Sequence, residues 1–261
     1  MEGSAVAYSR AQIAVANRHD WQAPIEPDQW AVERAVAALP TGFTALWWAS
    51  DPETGPVEGA VSSWSPVATS SETAAATNGT GDEQPVLTAG LQNGKPLVRF
   101  DGTDDFLATA NWGSSLPQPL SITIWCRVHV MGGSDTFVAG NDVTNNPRIR
   151  TAGGTSFAIQ STTPSLGSGG AGPGTDFGRL DAVFYSGSTL SQLSYNGAVI
   201  AGPGDCGSAS MDGATLGANQ GGLSPTQVDI GAVLICPTAY ALVNEAEVSG
   251  LASALDAFYG I

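Results

Sequence analysis

Short apolar or alternating segments, separated by Gly, Pro, Asn and Asp, make up most of the chain from residue 41 onward. In SITIWCRVHV, residues 121–130, every second residue from Ile122 is apolar, which is the pattern of a β-strand with one buried face. The pair Asn196-Gly197 lies between two such segments and predicts a tight hairpin turn. About ten strands are predicted in this way. They are TALWWA, PLVRF, FLATA, SITIWCRVHV, TFVAG, SFAIQS, RLDAVFYS, LSQLSYNGAVIAG (the hairpin), ATLGA and VDIGAVLIC.

Strands of this number and spacing predict an all-β fold, a two-sheet antiparallel sandwich over residues 41–261. The composition agrees, because the chain is 42% hydrophobic but only 13% charged, and it contains 33 Gly and 16 Pro. We therefore expect a turn-rich β domain with a large core.

Two helices are predicted outside the strands. The first covers PDQWAVERAVAAL, where Pro27 and Asp28 suit the first turn and Pro40 ends the helix. The second lies at the carboxyl end, where Asn244 and Glu247 form a capping-box-like pair, and we expect it to close one end or edge of the sandwich. The predicted buried faces are Val32, Ala35, Val36 and Leu39 in the first helix and Val248, Leu251, Leu255 and Phe258 in the second.

Residues 1–40 differ from the rest and are predicted to form an N-terminal docking arm with one short helix. The arm is too small to make a core of its own, so it packs either on the main domain or on another protein. Its candidate partner-docking residues are Ile13, Trp21, Ile25 and Trp30.

The net charge of −15 argues against nucleic-acid binding, which requires clustered Lys and Arg, and it disfavours adsorption to anionic lipid. No apolar run approaches the ~20 residues of a membrane helix, so we expect no membrane insertion. The N-terminus lacks the pattern of a signal peptide. Three cysteines, Cys126, Cys206 and Cys236, leave at least one free thiol and no disulfide framework.

The segment GKPLVRFDGTDDFLATA concentrates three carboxylates, Asp101, Asp104 and Asp105. Calcium binding is one interpretation, because carboxylate and backbone oxygens are its usual ligands. A tight turn is the favoured one, with Asp101 accepting backbone N–H groups while Gly102 takes a conformation that other residues avoid. In an extended chain Asp105 would point away from Asp104, which also favours the turn. No cofactor is predicted, and calcium is kept as the alternative.

No arrangement of residues indicates catalysis, and the chain is predicted not to be an enzyme. A glycosidase on such a sandwich needs two carboxylates at alternating strand positions, but Asp51 and Glu53 lie in a Pro/Gly turn. The two histidines, His19 and His129, have no G-x-S-x-G motif with them. The sequence therefore predicts no catalytic residue and no metal site.

Two tryptophans are candidate glycan contacts. Trp47 and Trp48 are adjacent on a predicted strand, so we expect one to face the core and the other to face outward, while Trp112 follows the acidic turn. Trp48 and Trp112 are therefore candidates for stacking on a sugar, and packing in the core or at its rim is the alternative for each.

Four segments carry a resemblance to a known family: LWWASDPETGPVEGAVSSW, GKPLVRFDGTDDFLATA, LPQPLSITIWCRV and VDIGAVLICPTAYALVNEAEVSGLASALDAFYGI. Together they resemble the concanavalin A-like, laminin-G-like jelly-roll family, of the kind found in tailed-phage virion proteins such as minor tail proteins. The resemblance covers residues 43–261 and implies a jelly-roll sandwich. The sequence departs from the family's pattern at Ala232, near a position where the family often has a glutamate, and residues 131–215 do not align with the family.

The resemblance and the arm together lead to a hypothesis of function. The chain is predicted to be a structural or adhesion component of a tailed-phage particle, a minor tail or tail-tip protein made in the host cytoplasm. Its expected partners are other virion proteins through the arm, further copies of itself, and a host-cell glycan. The alternatives are a carbohydrate-binding module of a bacterial surface protein and a capsid decoration protein.

Overall fold

A computed structural model describes most of the chain, and within it 18 strands form two antiparallel sheets. This confirms the predicted all-β sandwich with one helix before it and one after it. The described residues are 27–39, 45–50, 59–69, 75–141, 146–154, 156–167, 175–187, 189–237 and 246–261.

The first sheet has ten strands and is built around the two longest, β9 and β18. Its strands are β1 (Ala45–Trp48), β2 (Gly59–Ala60), β4 (Ala68–Thr69), β6 (Val86–Gln92), β7 (Lys95–Asp101), β9 (Leu120–Val128), β14 (Gly178–Phe184), β15 (Ser191–Tyr195), β16 (Ala198–Gly204) and β18 (Gln227–Cys236). Their order is β16-β15-β14-β9-β18-β7-β6-β2, and β1 joins β18 to β4 beside this path.

The second sheet has eight shorter strands. They are β3 (Ser63–Trp64), β5 (Ala76–Thr77), β8 (Leu107–Ala108), β10 (Thr136–Ala139), β11 (Arg148–Ala152), β12 (Ser156–Gln160), β13 (Ser165–Gly167) and β17 (Thr215–Leu216). Their order is β13-β12-β11-β10-β17-β8-β5-β3. Helices α1 (Pro27–Ala37) and α2 (Ala246–Tyr259) and the 3₁₀ turns Gly81–Glu83 and Gln220–Gly222 complete the described elements.

The space between the sheets is filled by apolar side chains from alternate strand positions, as a period of two requires. Trp47 lies in this core, and its Nε1 donates a hydrogen bond to the backbone oxygen of Trp64 at 3.0 Å. All three cysteines are buried thiols outside any disulfide, and burial raises the pKa of the Cys126 thiol to about 12. Within the described residues the cysteines therefore serve packing.

The opposite face of the first sheet is covered by both helices. Trp48, Trp125 and Leu234 point away from the inter-sheet core and pack with residues of α1 and α2 in a second apolar cluster. The predicted helix faces are confirmed, because all eight residues belong to this cluster or pack against it. The expectation that the last helix closes an end or edge is wrong, because α2 lies on the outer face of the sheet. Its predicted cap, Asn244, lies outside the described residues.

The predicted strands all correspond to observed ones, and the hairpin is confirmed by positive φ angles of 46° at Asn196 and 80° at Gly197. Seven observed strands have no predicted counterpart: β2, β3, β4, β5, β6, β11 and β13. The two longest of these seven are β6 and β11, and β11 alternates arginine with apolar or small residues.

The helical part of the arm packs on the sandwich, since Val32 and Val36 belong to the cluster under α2. Lys95 Nζ lies 2.7 Å from Asp28 Oδ2 and joins α1 to β7. Trp30 is partly exposed, whereas Ile13, Trp21 and Ile25 lie outside the described residues, so docking by the arm stays a prediction. Neither described helix has the length and apolar character to cross a membrane.

Candidate functional site

A polar cleft of about 550 Å³ opens beside β8 and β17 of the second sheet. This volume lies within the usual range for small-molecule sites. Six polar residues line the cleft, and Phe106, Ala108 and Gly221 complete it. The polar residues are Thr109, Asn111, Asn141, Asp212, Thr215 and Gln220.

Asn141 is held in the cleft by hydrogen bonds to Thr109, which follows β8, and to Thr215 of β17. Its Nδ2 donates to the backbone oxygen of Thr109 at 2.8 Å, and its Oδ1 accepts from Thr215 Oγ1 at 2.9 Å. Thr109 Oγ1 in turn accepts from the backbone N–H of Ala214 at 2.9 Å. The loop after β10 is therefore tied to the ends of β8 and β17, which makes the base of the cleft rigid.

Asn111 and Asp212 are held less tightly. Asn111 Nδ2 lies 3.4 Å from Asp212 Oδ2, and Asn111 Oδ1 lies 3.4 Å from Asn141 Nδ2, both longer than an ordinary hydrogen bond. Asp212 Oδ1 is shielded from solvent and has no hydrogen-bond partner among the described residues. A buried acceptor without a partner is costly. The other oxygen, Oδ2, has only the long contact with Asn111, so Asp212 retains capacity there for a donor from a ligand.

Phe106 places an aromatic ring at the side of this polar set. It follows directly on the acidic turn and is only partly buried. The cleft thus combines amide, hydroxyl and carboxylate groups with one apolar ring, and it lies on a strand-bound frame.

The two predicted glycan contacts are both buried. Trp48 does leave the inter-sheet core, as expected for one of two adjacent tryptophans, but it lies under α2, with its ring 5.3 Å from that of Phe258. Trp112 is 7% exposed and packs in the core between the sheets. The expectation that Trp48 and Trp112 are exposed is therefore wrong, although Asn111, the residue before Trp112, does line the cleft.

The acidic turn has the hydrogen bonds predicted for it. Asp101 Oδ1 accepts from the backbone N–H of Thr103 at 2.7 Å, and Gly102 has a φ of 78°. Asp105 is buried, and its Oδ2 accepts from the backbone N–H of Asp101 at 2.8 Å. One oxygen from each of Asp101, Asp104 and Asp105 lies within 4.8 Å of the others, so the expectation that Asp105 points away from Asp104 is wrong.

Burial is the main cause of a raised pKa at Asp105, to about 6, although the hydrogen bond from Asp101 opposes it. The nearby carboxylates of Asp101 and Asp104 raise this pKa further. The turn thus holds one carboxyl group that titrates well above its ordinary range.

A second polar cluster lies on the outer face of the first sheet, where β7, β18 and β9 pair. The carboxylate of Asp229 is fully buried and accepts from Arg99 Nε at 2.7 Å and from a terminal guanidinium nitrogen of Arg99 at 3.0 Å. His129 Nε2 lies 2.8 Å from the same carboxylate. This places His129 in a hydrogen-bonded cluster around Asp229 that links β7 and β18 to the end of β9. His19, Asp51 and Glu53 lie outside the described residues.

The cleft residues were missed at the level of sequence, because Asn111, Asn141 and Asp212 are far apart in the chain and none belongs to a motif. The signal available was their position in loops next to strands, where binding residues are often found. That signal is weak, since many Asn and Asp residues in loops only form turns.

No family model matches the sequence, and no curated protein does. Solved structures do share its fold. A sialidase of Trypanosoma rangeli is 10% identical, with a TM-score of 0.54 over 95% of this chain and 38% of the sialidase. The same enzyme in complex with sialic acid is 10% identical, with a TM-score of 0.53 over 84% and 34% of the two chains. Domain 4 of AbnA, a GH43 arabinanase from Geobacillus stearothermophilus, in complex with arabinotriose, is 17% identical, with a TM-score of 0.39 over 76% and 93%.

These likenesses show the fold alone, and the arabinanase match, with its TM-score of 0.39, carries no argument. The chain spans little more than a third of the sialidases it matches. The prediction that it is not an enzyme is contradicted, because the matching structures with TM-scores above 0.5 include sialidases and the fold is therefore one found in enzymes. The virion location, the partners of the arm and self-association stay predictions.

Proposed function

We propose that this chain is a carbohydrate-binding β-sandwich and that the glycan binds in the polar cleft of the second sheet. The observation that carries the proposal is the convergence of Asn111, Asn141 and Asp212 beside Phe106 on one rigid frame. A folded chain with this cleft presents donors, acceptors and an apolar ring to the same ligand.

The chemistry of the cleft suits a sugar. Amides offer both donors and acceptors and a carboxylate accepts only, so together they match neighbouring hydroxyl groups, each of which both donates and accepts. Phe106 offers an apolar surface for the C–H face of a sugar ring. The long contacts of Asn111 leave its amide able to exchange a weak internal hydrogen bond for a stronger one to a ligand.

The comparisons support the same class of ligand. One matching sialidase was solved with sialic acid, which is a sugar bound by that protein. This chain shares only the fold with that protein. From the fold we take the expectation that such sandwiches occur in proteins that bind or process glycans.

The sequence resemblance extends this proposal to a location. In that extension the sandwich belongs to a tailed-phage minor tail protein, and the cleft faces host glycans. The arm, residues 1–40, assembles with neighbouring subunits through the segment before α1, because α1 itself packs on the sandwich. Its test is assembly: removal of residues 1–26 should abolish incorporation into particles, and particles that still contain the shortened chain would contradict it.

The cleft is tested by binding of the full chain to an array of immobilised glycans. We expect wild type to bind a defined set, and Phe106→Ala and Asn111→Ala to lose that binding while unfolding at nearly the wild-type temperature. Val199→Ala is the control, because Val199 is 53% exposed on the first sheet. No binding by folded wild type, or full binding by both cleft variants, would contradict the proposal.

The same glycans test for turnover, because the fold occurs in sialidases. Release of sugar is measured for wild type and for Asp212→Asn, which keeps the shape of the side chain but removes its charge. Turnover that Asp212→Asn abolishes would make the cleft an active site as well as a binding site.

A further inference from the structure

Two arginines, Arg148 and Arg150, stand on the outer face of the second sheet at alternate positions of β11. A guanidinium nitrogen of Arg148 donates to Gln160 Oε1 at 2.8 Å, and Arg150 Nε donates to the same oxygen at 3.1 Å. Two positive groups thus converge on one neutral acceptor, and we refer to Arg148 and Arg150 as the arginine pair.

The arginine pair has no carboxylate partner in the part of the chain that the structure describes. Elsewhere in that part Lys95, Arg99 and Arg179 form ion pairs, whereas Arg34 is exposed and Arg127 donates to Gln92 Oε1. The chain has 24 acidic residues and only nine Lys and Arg, yet these two partly buried arginines share a neutral acceptor instead of a carboxylate. Burial lowers the pKa of both guanidinium groups, and the charge of Arg150 adds to this effect at Arg148. An arriving anion would relieve both effects.

The outer nitrogens of Arg150 contact only neutral oxygens among the described residues. One donates to the backbone oxygen of Thr151 at 3.0 Å and lies 3.5 Å from Ser134 Oγ, and the other lies 3.2 Å from Ser165 Oγ. The long serine contacts are the ones that an anion could replace. The residue paired with Arg150 on β12 is Ala158, which carries no polar side-chain group to compete for the guanidinium nitrogens. Arginine forks of this kind bind carboxylate, sulfate or phosphate oxygens through pairs of charge-assisted hydrogen bonds.

The arginine pair lies close to the cleft. Thr215 of the cleft pairs with Ala139 of β10, and Ala139 pairs with Arg148 of β11. Two strand spacings, about 10 Å, therefore separate Thr215 from Arg148 along one row of the sheet. Ala139 between them is buried, so a ligand that binds in both places must be longer than a single sugar ring and pass over this covered position.

We propose that the arginine pair is an anion-binding subsite and that the ligand of the cleft is an acidic glycan, whose carboxylate or sulfate group binds Arg148 and Arg150. This inference rests on the proposed function for its sugar part. The anion site itself is tested separately, so that failure of one can be told from failure of the other.

The first test uses inorganic sulfate and the full chain. We expect millimolar sodium sulfate to raise the melting temperature of wild type above that in sodium chloride of equal ionic strength. The double variant Arg148→Gln/Arg150→Gln should lose this difference. Arg34→Gln, which removes the same kind of charge from an exposed position on α1, should retain it and controls for general salt effects. An equal sulfate effect in wild type and the double variant, or none in either, would overturn the anion site.

The second test uses three sugars with one core: lactose, 3′-sialyllactose and 3′-sulfolactose. We expect wild type to bind at least one acidic sugar about tenfold more tightly than lactose, which corresponds to one good charge-assisted contact. The double variant should bind all three alike, while Phe106→Ala should weaken all three. A preference for acidic sugars that survives in the double variant would overturn the role of the pair. Equal binding of all three sugars by wild type would overturn the acidic ligand while leaving the cleft intact.

Discussion

The two outer faces of the sandwich are built from similar strands but are covered differently. On the first sheet, alternate positions carry large apolar side chains such as Trp48, Trp125 and Leu234, and two helices bury them. On the second sheet, successive partners in one row are Thr77, Ala108, Thr215, Ala139, Arg148 and Gln160, which are small, polar or charged. Both described helices pack on the first sheet.

This difference separates stability from binding. An apolar outer face needs a cover and contributes to the core, whereas a polar outer face can leave side chains accessible to a ligand. In the row named above, Ala108 and Arg148 are partly exposed, while Thr215 and Ala139 between them are buried. The cleft and the arginine pair both belong to the second sheet. Substitutions on the outer face of the first sheet should therefore change mainly the free energy of unfolding, and substitutions on that of the second sheet should change mainly the ligand affinity.

The largest expected effect comes from Phe258→Ala under the helix cover. Phe258 is 1% exposed, packs edge-on against Trp48 and lies 4.5 Å from Lys95 Nζ. Loss of a buried phenylalanine should lower the free energy of unfolding by about 3–5 kcal/mol, measured by denaturant titration. Phe106→Ala at the cleft is the matched variant and should cost much less. Equal losses in the two variants would remove the distinction between the faces.

The next effect tests how closely α2 approaches the first sheet. A Cβ added at Gly231 would lie 2.5 Å from Cζ of Tyr259, so Gly231→Ala should cost about 1–3 kcal/mol through overpacking. Gly250 lies in α2 with nothing near the added atom, and Gly250→Ala should stabilise by about 0.5–1 kcal/mol. Unfolding midpoints of the two variants should therefore shift in opposite directions. A stabilising Gly231→Ala would contradict the observed packing of the helix.

A smaller effect, which depends on pH, is expected at the acidic turn. An acid with a pKa raised to about 6 on folding favours the folded state at low pH and destabilises it increasingly as pH rises from about 4 to 6. Asp105→Asn removes this penalty and can still accept the N–H of Asp101. We expect the variant to gain on the order of 1 kcal/mol over wild type above pH 7, since the weaker hydrogen bond offsets part of the gain.

The check at the acidic turn is the difference in unfolding free energy between Asp105→Asn and wild type, followed from pH 4 to pH 8. The gain should shrink to a small remainder near pH 4, where Asp105 is protonated in the folded chain and about half protonated in the unfolded chain. A difference that is constant across this range would show that Asp105 does not titrate as described.

The smallest effect is expected where α1 meets the first sheet. Lys95 and Asp28 form a partly exposed ion pair at 2.7 Å, and such pairs contribute about 0.2–1 kcal/mol. Lys95→Gln should therefore lower stability only slightly, with a further contribution from its lost contact with Phe258. A double-mutant cycle with Asp28→Asn measures the pair, and a coupling energy of zero would show that it does not hold α1 in place.

The sequence predicted the features that follow from local periodicity. The alternation in SITIWCRVHV reports a strand with one buried face, and the spacing of Val248, Leu251 and Leu255 reports a helix with one buried face. Both are set by residues near each other in the chain, and both are confirmed.

What was missed depends on contacts between distant parts of the chain. Adjacent Trp47 and Trp48 predict side chains on opposite faces of the strand. Only the packing of both helices shows that Trp48, on the outer face of the sheet, is buried. Strand β11 is not predicted from apolar residues alone, because arginines interrupt the apolar pattern. The alternation of Arg148 and Arg150 around the buried Ile149 is nevertheless the period of two that a strand shows. The cleft joins Asn111, Asn141 and Asp212 only after the second sheet has formed.

The most direct test of the account is to locate where a glycan binds. The ¹⁵N amide spectrum of the full chain is followed during titration with the glycan that binds most strongly on the array. We predict that the largest shifts cluster at the cleft, around Asn111, Asn141 and Asp212, and leave α1 and α2 unchanged. Shifts confined to the helix-covered face of the first sheet would contradict the central claim, and so would no shifts at saturating glycan.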